Sequence, residues 1–260
     1  MRPILSATDT YNYNLAKWLD DKLKPLSTNE YTINDVFKFA GEIRDMEFVE
    51  SDILVSYDVS SLFTNVPLDE TIQILVDKAF SNNWFNTTYE LNITKSDLSD
   101  LLKVATKDQL FQFNGNLYEQ VDGVAMGSPL GLLLANTFMC YIEERLQQQG
   151  KIPAFYRRYV DDTLTAVPDV ASAQALLETL NNAHQAINFT MELPKSDTIP
   201  FLGMNLSKKG CKIVTSTFIK PTDTGLLTHY HSHIDRRYKT SLLRTIYIVV
   251  FNYPRLGAYS

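Results

Sequence analysis

The sequence predicts an α+β fold in which an antiparallel sheet packs against helices along one face. Two observations carry the prediction. Short β-rich runs close on hairpin turn signals, and amphipathic stretches of helical period lie between them, in the order strand–helix–helix–hairpin–helix–hairpin–helix–strand. No repeat, low-complexity tract or Gly/Ser linker interrupts this order, so the elements form one continuous structure.

The first element is an apolar run over Ile53–Val59 that ends at Asp58 and reads as a buried strand. Pro67, Asp69 and Glu70 then open a helix with Ile72, Leu75, Val76 and Ala79 at helical spacing. A second helix over Ser96–Thr106 leads to Leu110–Phe113, where Asn114-Gly115 between apolar runs signals a hairpin. Ser128-Pro129 is an N-cap and first-turn pair for a helix reaching Gln149, with Gly150 as its stop. Tyr156–Val160 and Thr163–Val167 read as strands joined at Asp161-Asp162. Pro168-Asp169 opens a helix through Ala186, followed by a strand at Ile187–Leu193 and a hairpin turning at Lys208-Lys209-Gly210.

Bulk properties bound the class. A chain of 260 residues, 45% hydrophobic and 21% charged, suits one large domain or two intimate ones with ample core. Cys140 and Cys211 lie too far apart in sequence for a zinc motif, so a reducing compartment is expected. The start has no apolar run suited to a signal peptide, and no stretch is long enough to span a bilayer, so no membrane partner is expected. The net charge of −6 is unevenly spread: residues 205–260 hold nine Lys/Arg against two Asp/Glu, a net of +7, which leaves −13 for residues 1–204. An acidic body beside a basic quarter fits an enzyme that uses carboxylates for metal and cations for a phosphate backbone. A chance cluster on a solvated face would look the same.

The chemistry concentrates in three carboxylates. Adjacent Asp161 and Asp162 at a tight turn repel each other, and a glycine or asparagine would suit the turn better. Aspartates do favour turns on structural grounds alone. A divalent cation makes the pair favourable, because magnesium prefers oxygen ligands. Asp58, at the end of an apolar strand, must be paired, solvated or bound to metal. If its strand lies beside the Asp161 hairpin, the three could hold two ions about 3.5–4 Å apart for an in-line phosphoryl displacement.

At this point the residues resemble a known family. Tyr159-Val-Asp-Asp162 is similar to the signature turn of reverse transcriptases, and LVSYDVSSLFTNVP (54–67) resembles their first metal motif. GVAMGSPLGLLLANTFM (123–139) resembles the nucleotide- and template-contacting helix start, and IPFLGMNL (199–206) the primer-grip hairpin. The wording of RPILSATDTYNYNLAKWL near the start and KPTDTGLLTHYHSHIDRRYKTSLLRT near the end looks most like Penelope-like retroelements. The likeness covers residues 2 to about 245 in family order.

The resemblance implies a right-hand polymerase palm: fingers and palm over residues 1–225, a primer-grip hairpin at about 199–218, and the start of a basic thumb over 226–260. It implies an RNA-directed DNA polymerase with two Mg²⁺ ions, replaceable by Mn²⁺, and an RNA template, a DNA primer and dNTPs as partners. Asp58 and Asp161 would bridge both metals, Asp162 would support one, and the Val59 carbonyl would complete the nucleotide-bound ion. Phe63 matches the aromatic gate against ribonucleotides, although a core phenylalanine would read the same way. Met126, Gly127, Ser128 and Pro129 would meet the nucleotide, where small residues and free helix-start N–H groups allow close approach. Arg2 resembles the fingers arginine on the incoming triphosphate. Lys195 is a candidate general acid, the alternative being a solvated loop lysine.

Tyr159, Phe201, Leu202, Gly203, Arg236, Arg237 and Lys239 would contact primer and template, with salt-dependent, sequence-tolerant binding. His229, His231 and His233 alternate, which on an extended segment sets them on one side and could mimic a metal site, but no further ligand is evident and a genuine metal site is not expected.

The sequence departs from the family in places. The fingers appear N-terminally truncated, the thumb incomplete, and no GIY-YIG endonuclease is present. Leu132 replaces a usual proline, and Gly203 stands where aspartate is common. A catalytically inactive remnant that keeps a nucleic-acid surface is the alternative reading, and a ribonucleotide-using palm polymerase is a third, which Phe63 opposes. Nuclear action is expected only because a retroelement must reach chromosomal DNA. The oligomeric state is not legible.

Overall fold

The computed structural model describes residue 7 and residues 10–107, 109–121 and 123–252; Arg2 lies outside the described residues. Its centre is a four-stranded antiparallel sheet in the order β4 (Phe155–Tyr159), β5 (Asp162–Val167), β1 (Ile53–Val59) and β6 (Phe189–Glu192). Strand β1 is therefore internal, flanked antiparallel by β5 and β6.

Alternation along β1 sorts the molecule into two cores. Val55, Tyr57 and Val59 face one way, into the larger cluster. That cluster is built with α1 (Tyr13–Leu23), α4 (Leu68–Ala79), α6 (Lys95–Thr106), α7 (Pro129–Gln148) and α8 (Val170–Asn181). Helix α7 runs through its middle, and Leu130, Leu134, Phe138 and Cys140 are all buried, so it is apolar nearly all round, as a central helix must be. Leu54 faces the opposite way with Leu164 and Ala166 of β5. There they meet α2 (Val36–Asp45) and a second, three-stranded sheet of β7 (Thr198–Phe201), β8 (Met204–Lys209) and β9 (Lys212–Thr217). The helices thus cover one face, while a smaller sheet and one helix cover part of the other. Ser56 and Asp58, further along the second face, emerge from this cover, and Asp58 is exposed.

Local chemistry explains the element ends. Thr94 and Asp97 form a reciprocal capping box at the start of α6. Ser128 caps α7 with Pro129 in its first turn, and Gly150 takes a φ of +67° just beyond its end. The hairpin of β2 (Gln109–Phe113) and β3 (Asn116–Gln120) turns on Asn114 and Gly115, both left-handed.

Two expected boundaries move. Helix α8 ends at Asn181, not Ala186, because the Asn181 side chain accepts from the Phe189 N–H at 2.6 Å and donates to its carbonyl, tying the chain into β6. The last hairpin turns one step later, at Gly210 and Cys211, with Gly210 at a φ of +60°. Helices α1 and α2 and the short α5 (Trp84–Tyr89) were not expected from periodicity.

Phe138 has no exposed surface and packs edge-on against His184 with ring centroids 5.0 Å apart. Phe138→Ala is expected to cost roughly 3–5 kcal/mol in chemical unfolding, the cost of a cavity in a close-packed centre.

Candidate active site

The acidic turn is built differently from the expected one. Tyr159 and Asp162 are Cα partners closing the β4–β5 hairpin, so the two central residues are Val160 and Asp161 rather than Asp161 and Asp162. Val160 stands at a φ of +57°, a conformation that costs a β-branched residue roughly 1–3 kcal/mol. Two hydrogen bonds hold the turn against that cost. The Val59 N–H donates to the Asp161 carbonyl at 3.2 Å, and Arg158 Nη1 donates to the Val160 carbonyl at 3.0 Å.

Moving the turn back by one residue puts Asp162 inside β5, directly opposite Asp58 of β1. Thr190 of β6 is the Cα partner of Asp58 on its other side, and its hydroxyl donates to the Asp58 carbonyl at 3.4 Å. Residues paired across an antiparallel ladder share a sheet face. Asp58, Asp162 and Thr190 accordingly line one cavity of about 590 Å³, whose other wall is Phe201, Leu202 and Gly203 of the second sheet. Leu202 and Gly203 form the β7–β8 turn, both left-handed, with φ of +48° and +77°. The strand end carrying the acids and the turn expected to grip a primer therefore face each other.

Electrostatics mark the same spot. Partial burial pushes the Asp162 carboxyl up to about 6, with Asp161 and then Asp58 adding to the rise and Lys220 opposing it. Two strand-borne carboxylates beside a third on the adjoining turn form an oxygen donor set of the kind a hard divalent cation takes. Among the described residues no three His, Cys, Asp or Glu side chains are drawn together as a finished metal cage. The two strand-borne carboxylates are in register, and the third lies on the adjoining turn. A donor set of this chemistry fits a divalent cation such as Mg²⁺.

The expected nucleotide-side residues also assemble. A left-handed Ser61 breaks the chain after β1 and starts the short α3 (Leu62–Asn65), which carries Phe63. The Val124 N–H donates to the Phe63 carbonyl at 2.7 Å, joining this turn to the loop before α7. Gly123 makes that approach possible: a Cβ there would stand 2.5 Å from the Phe63 carbonyl oxygen. The Phe63 ring lies over Gly131 in the first turn of α7, 3.8 Å from where a Cβ would be. Phe63 is only half-buried, so it is not simply a core residue. Met126 bridges to Ser128, and Gly127 between them has a φ of +103° that side chains rarely adopt.

Other expected residues are placed elsewhere or engaged otherwise. Lys195 follows β6 beyond Glu192, which pairs with Ser56, so it lies past the end of the strand remote from Asp58. Its neighbours Pro194 and Asp197 line a different cavity with Ile53 and Leu54. The lysine at the acidic cavity is Lys220, just after β9, which sequence reasoning missed; no spacing rule connects it to aspartates on strands far away in the chain. Phe201 is buried in the second core, while Tyr159 is exposed. Arg236 opens α9 (Arg236–Asn252); Arg237 pairs with Asp235 at 3.1 Å, and Lys239 Nζ donates to the carbonyls of Tyr230 and Ser232. His229 and His231 contact each other with ring centroids 5.6 Å apart.

The raised Asp162 acid gives a pH dependence of stability. It binds more protons folded than unfolded, so stability falls as pH rises from the ordinary 3.8 through about 6. In metal-free protein Asp162→Asn should remove this slope and raise stability at neutral pH by about 1 kcal/mol, a figure reduced for solvent screening at a half-exposed group. Thermal melts across pH 4–8 with chelator present check it.

The solved telomerase of Candida albicans, in complex with the TWJ fragment of telomeric RNA, superposes with a TM-score of 0.60 at 15% identity, covering 91% of this chain and 41% of that one. An apo telomerase from Candida tropicalis gives 0.56 at 13% identity, covering 79% and 45%. These likenesses show the fold, an α+β polymerase core. The telomerase reverse transcriptase of Rattus norvegicus is 30% identical over 90 residues, 35% of this chain and 8% of that protein. The chain thus spans under half the length of these relatives. Residues 1–212 match the reverse transcriptase (RNA-dependent DNA polymerase) family, and the chain belongs to that family.

Proposed function

We propose that this chain is the polymerase domain of a Penelope-like retroelement and adds dNTPs to the 3′-hydroxyl of a DNA primer on an RNA template. The observation that carries the reading is the in-register pair Asp58–Asp162, on a cavity shared with the Leu202–Gly203 turn, in a chain of the reverse transcriptase family. The Penelope-like assignment rests on the wording of the stretches at residues 2–19 and 220–245.

Asp58, Asp161 and Asp162 would hold divalent ions at the end of β1 and the adjoining hairpin. Bound Mg²⁺ would supply Lewis acidity toward the attacking hydroxyl and the triphosphate. The residues around it position and select. The Leu202–Gly203 turn would hold the primer end against the acids from across the cavity. Gly127, with Ser128 and Pro129 at the start of α7, would let backbone approach the nascent base pair. The Phe63 ring, fixed over Gly131 and anchored through its carbonyl, would exclude a ribose 2′-hydroxyl. Lys220 would offset part of the negative charge beside Asp162.

Primer extension on an RNA template tests this. Asp58→Asn or Asp161→Asn should lower the rate roughly 10²–10³-fold or more, as removal of a central electrostatic group does, with template–primer affinity retained. Activity untouched by either change refutes the assignment. Phe63→Val should raise ribonucleotide incorporation relative to deoxynucleotide by roughly 10–100-fold, the range a few carbon atoms in a pocket can supply. Competition between labelled rNTP and dNTP measures that ratio.

A further inference from the structure

Among the described residues, the largest fully buried side chain is a charged one, Arg158 of β4. Its guanidinium and the Glu143 carboxylate of α7 are 0% and 1% exposed. Arg158 Nε donates to Glu143 Oε1, and Nη2 donates to Oε2 at 3.0 Å. Asn29 adds a second donor to Oε2 at 2.7 Å. The guanidinium is therefore clamped in one orientation from the α7 side. Its remaining nitrogen, Nη1, donates at 3.0 Å both to Asn136 Oδ1 and to the Val160 carbonyl.

A buried ion pair is a poor device for stability alone, because two desolvated charges seldom outperform well-packed apolar residues. This one reaches a particular target. It ends on the carbonyl of the one residue of the β4–β5 turn held left-handed, a valine, next to Asp161 and two residues before Asp162. Strand alternation turns Tyr156 and Arg158 toward α7, while Tyr159 is exposed. Arg158 thus grips the turn from the helix side of the sheet, while the acids serve the opposite side.

We infer that Arg158, oriented by Glu143, is a positioning residue: it holds the Val160 turn in its strained conformation and so sets where Asp161 and Asp162 present their carboxylates. It touches no substrate. The inference rests on the polymerase reading of the acidic site only for its catalytic consequence, since the turn geometry can be measured without turnover.

Two variants test it. The double change Arg158→Met with Glu143→Leu removes both charges together and leaves neither buried alone, so the fold is kept. Arg158→Lys keeps the charge facing Glu143 but loses the planar fork that also reaches Val160. Leu146→Ala, a buried position of α7 away from the turn, is the control for simple destabilisation.

In both test variants, amide hydrogen exchange at Val160–Asp162 should quicken, and Mn²⁺ binding followed by electron paramagnetic resonance should weaken. The rate constant for primer extension should fall about 10–100-fold with template–primer affinity unchanged, the range seen when a group that orients metal ligands is lost. The control should change none of these at matched stability. Wild-type-like exchange at the turn in both variants overturns the inference, as does recovery of Mn²⁺ binding and rate once the double variant is stable. A wild-type chain that exchanges as expected, quickens in the variants and yet never extends a primer sinks the polymerase reading and leaves the positioning role standing.

Discussion

The structure depends on the register between β1 and β5. Sliding that pairing by one residue would turn Asp58 or Asp162 toward the helices, because side chains alternate faces along a strand. In the observed register both carboxylates leave an otherwise apolar sheet on the same side, and an open cavity receives them. Two like charges facing each other across a ladder are unfavourable, and Asp58 adds to a rise in the Asp162 proton affinity that partial burial and then Asp161 contribute more strongly. Such an arrangement persists only where the surrounding fold is strong enough to impose it. Here the larger core beneath Val55, Tyr57 and Val59 does so.

That constraint organises the rest. Because the acids emerge on the second face, the three-stranded β7–β9 sheet can cover the apolar part of that face with Phe201, Met204 and Leu206 and still bring its Leu202–Gly203 turn to the cavity. Because α7 fills the centre of the first core, its N-terminal turn meets the Phe63 loop through Gly123 and Gly131, and its middle supplies Glu143 to Arg158. One helix therefore supports both the Phe63 turn and the acidic turn. This is an economical way to hold several groups of a site at fixed separation on rigid elements.

Much of this was legible along the chain, and the exceptions are instructive. Strand β1 and helices α4, α6 and α7 follow from apolar periodicity and from helix starts such as Pro67 and Ser128-Pro129, which are local signals. The β4–β5 turn was misread by one residue. Two aspartates look like turn residues and a valine does not, yet hydrogen bonds from Val59 and Arg158 override Val160's own preference. The end of α8 was overrun because the Asn181 side chain stops it through a bond to Phe189, which belongs to another element.

The sequence by itself determined the chemistry on offer: three carboxylates, an aromatic residue five positions after the first, and a glycine-rich start to a long apolar helix, in an order that matches the reverse transcriptase family. These are properties of short segments, set by side-chain identity and local backbone preference. The tertiary structure decided which aspartate faces Asp58, that Lys220 and not Lys195 stands by the acids, and that a buried arginine reaches the Val160–Asp161 turn. Each of those depends on strand pairing or on packing between segments far apart in the chain. No local preference encodes such contacts, because their energy exists only once the elements have met.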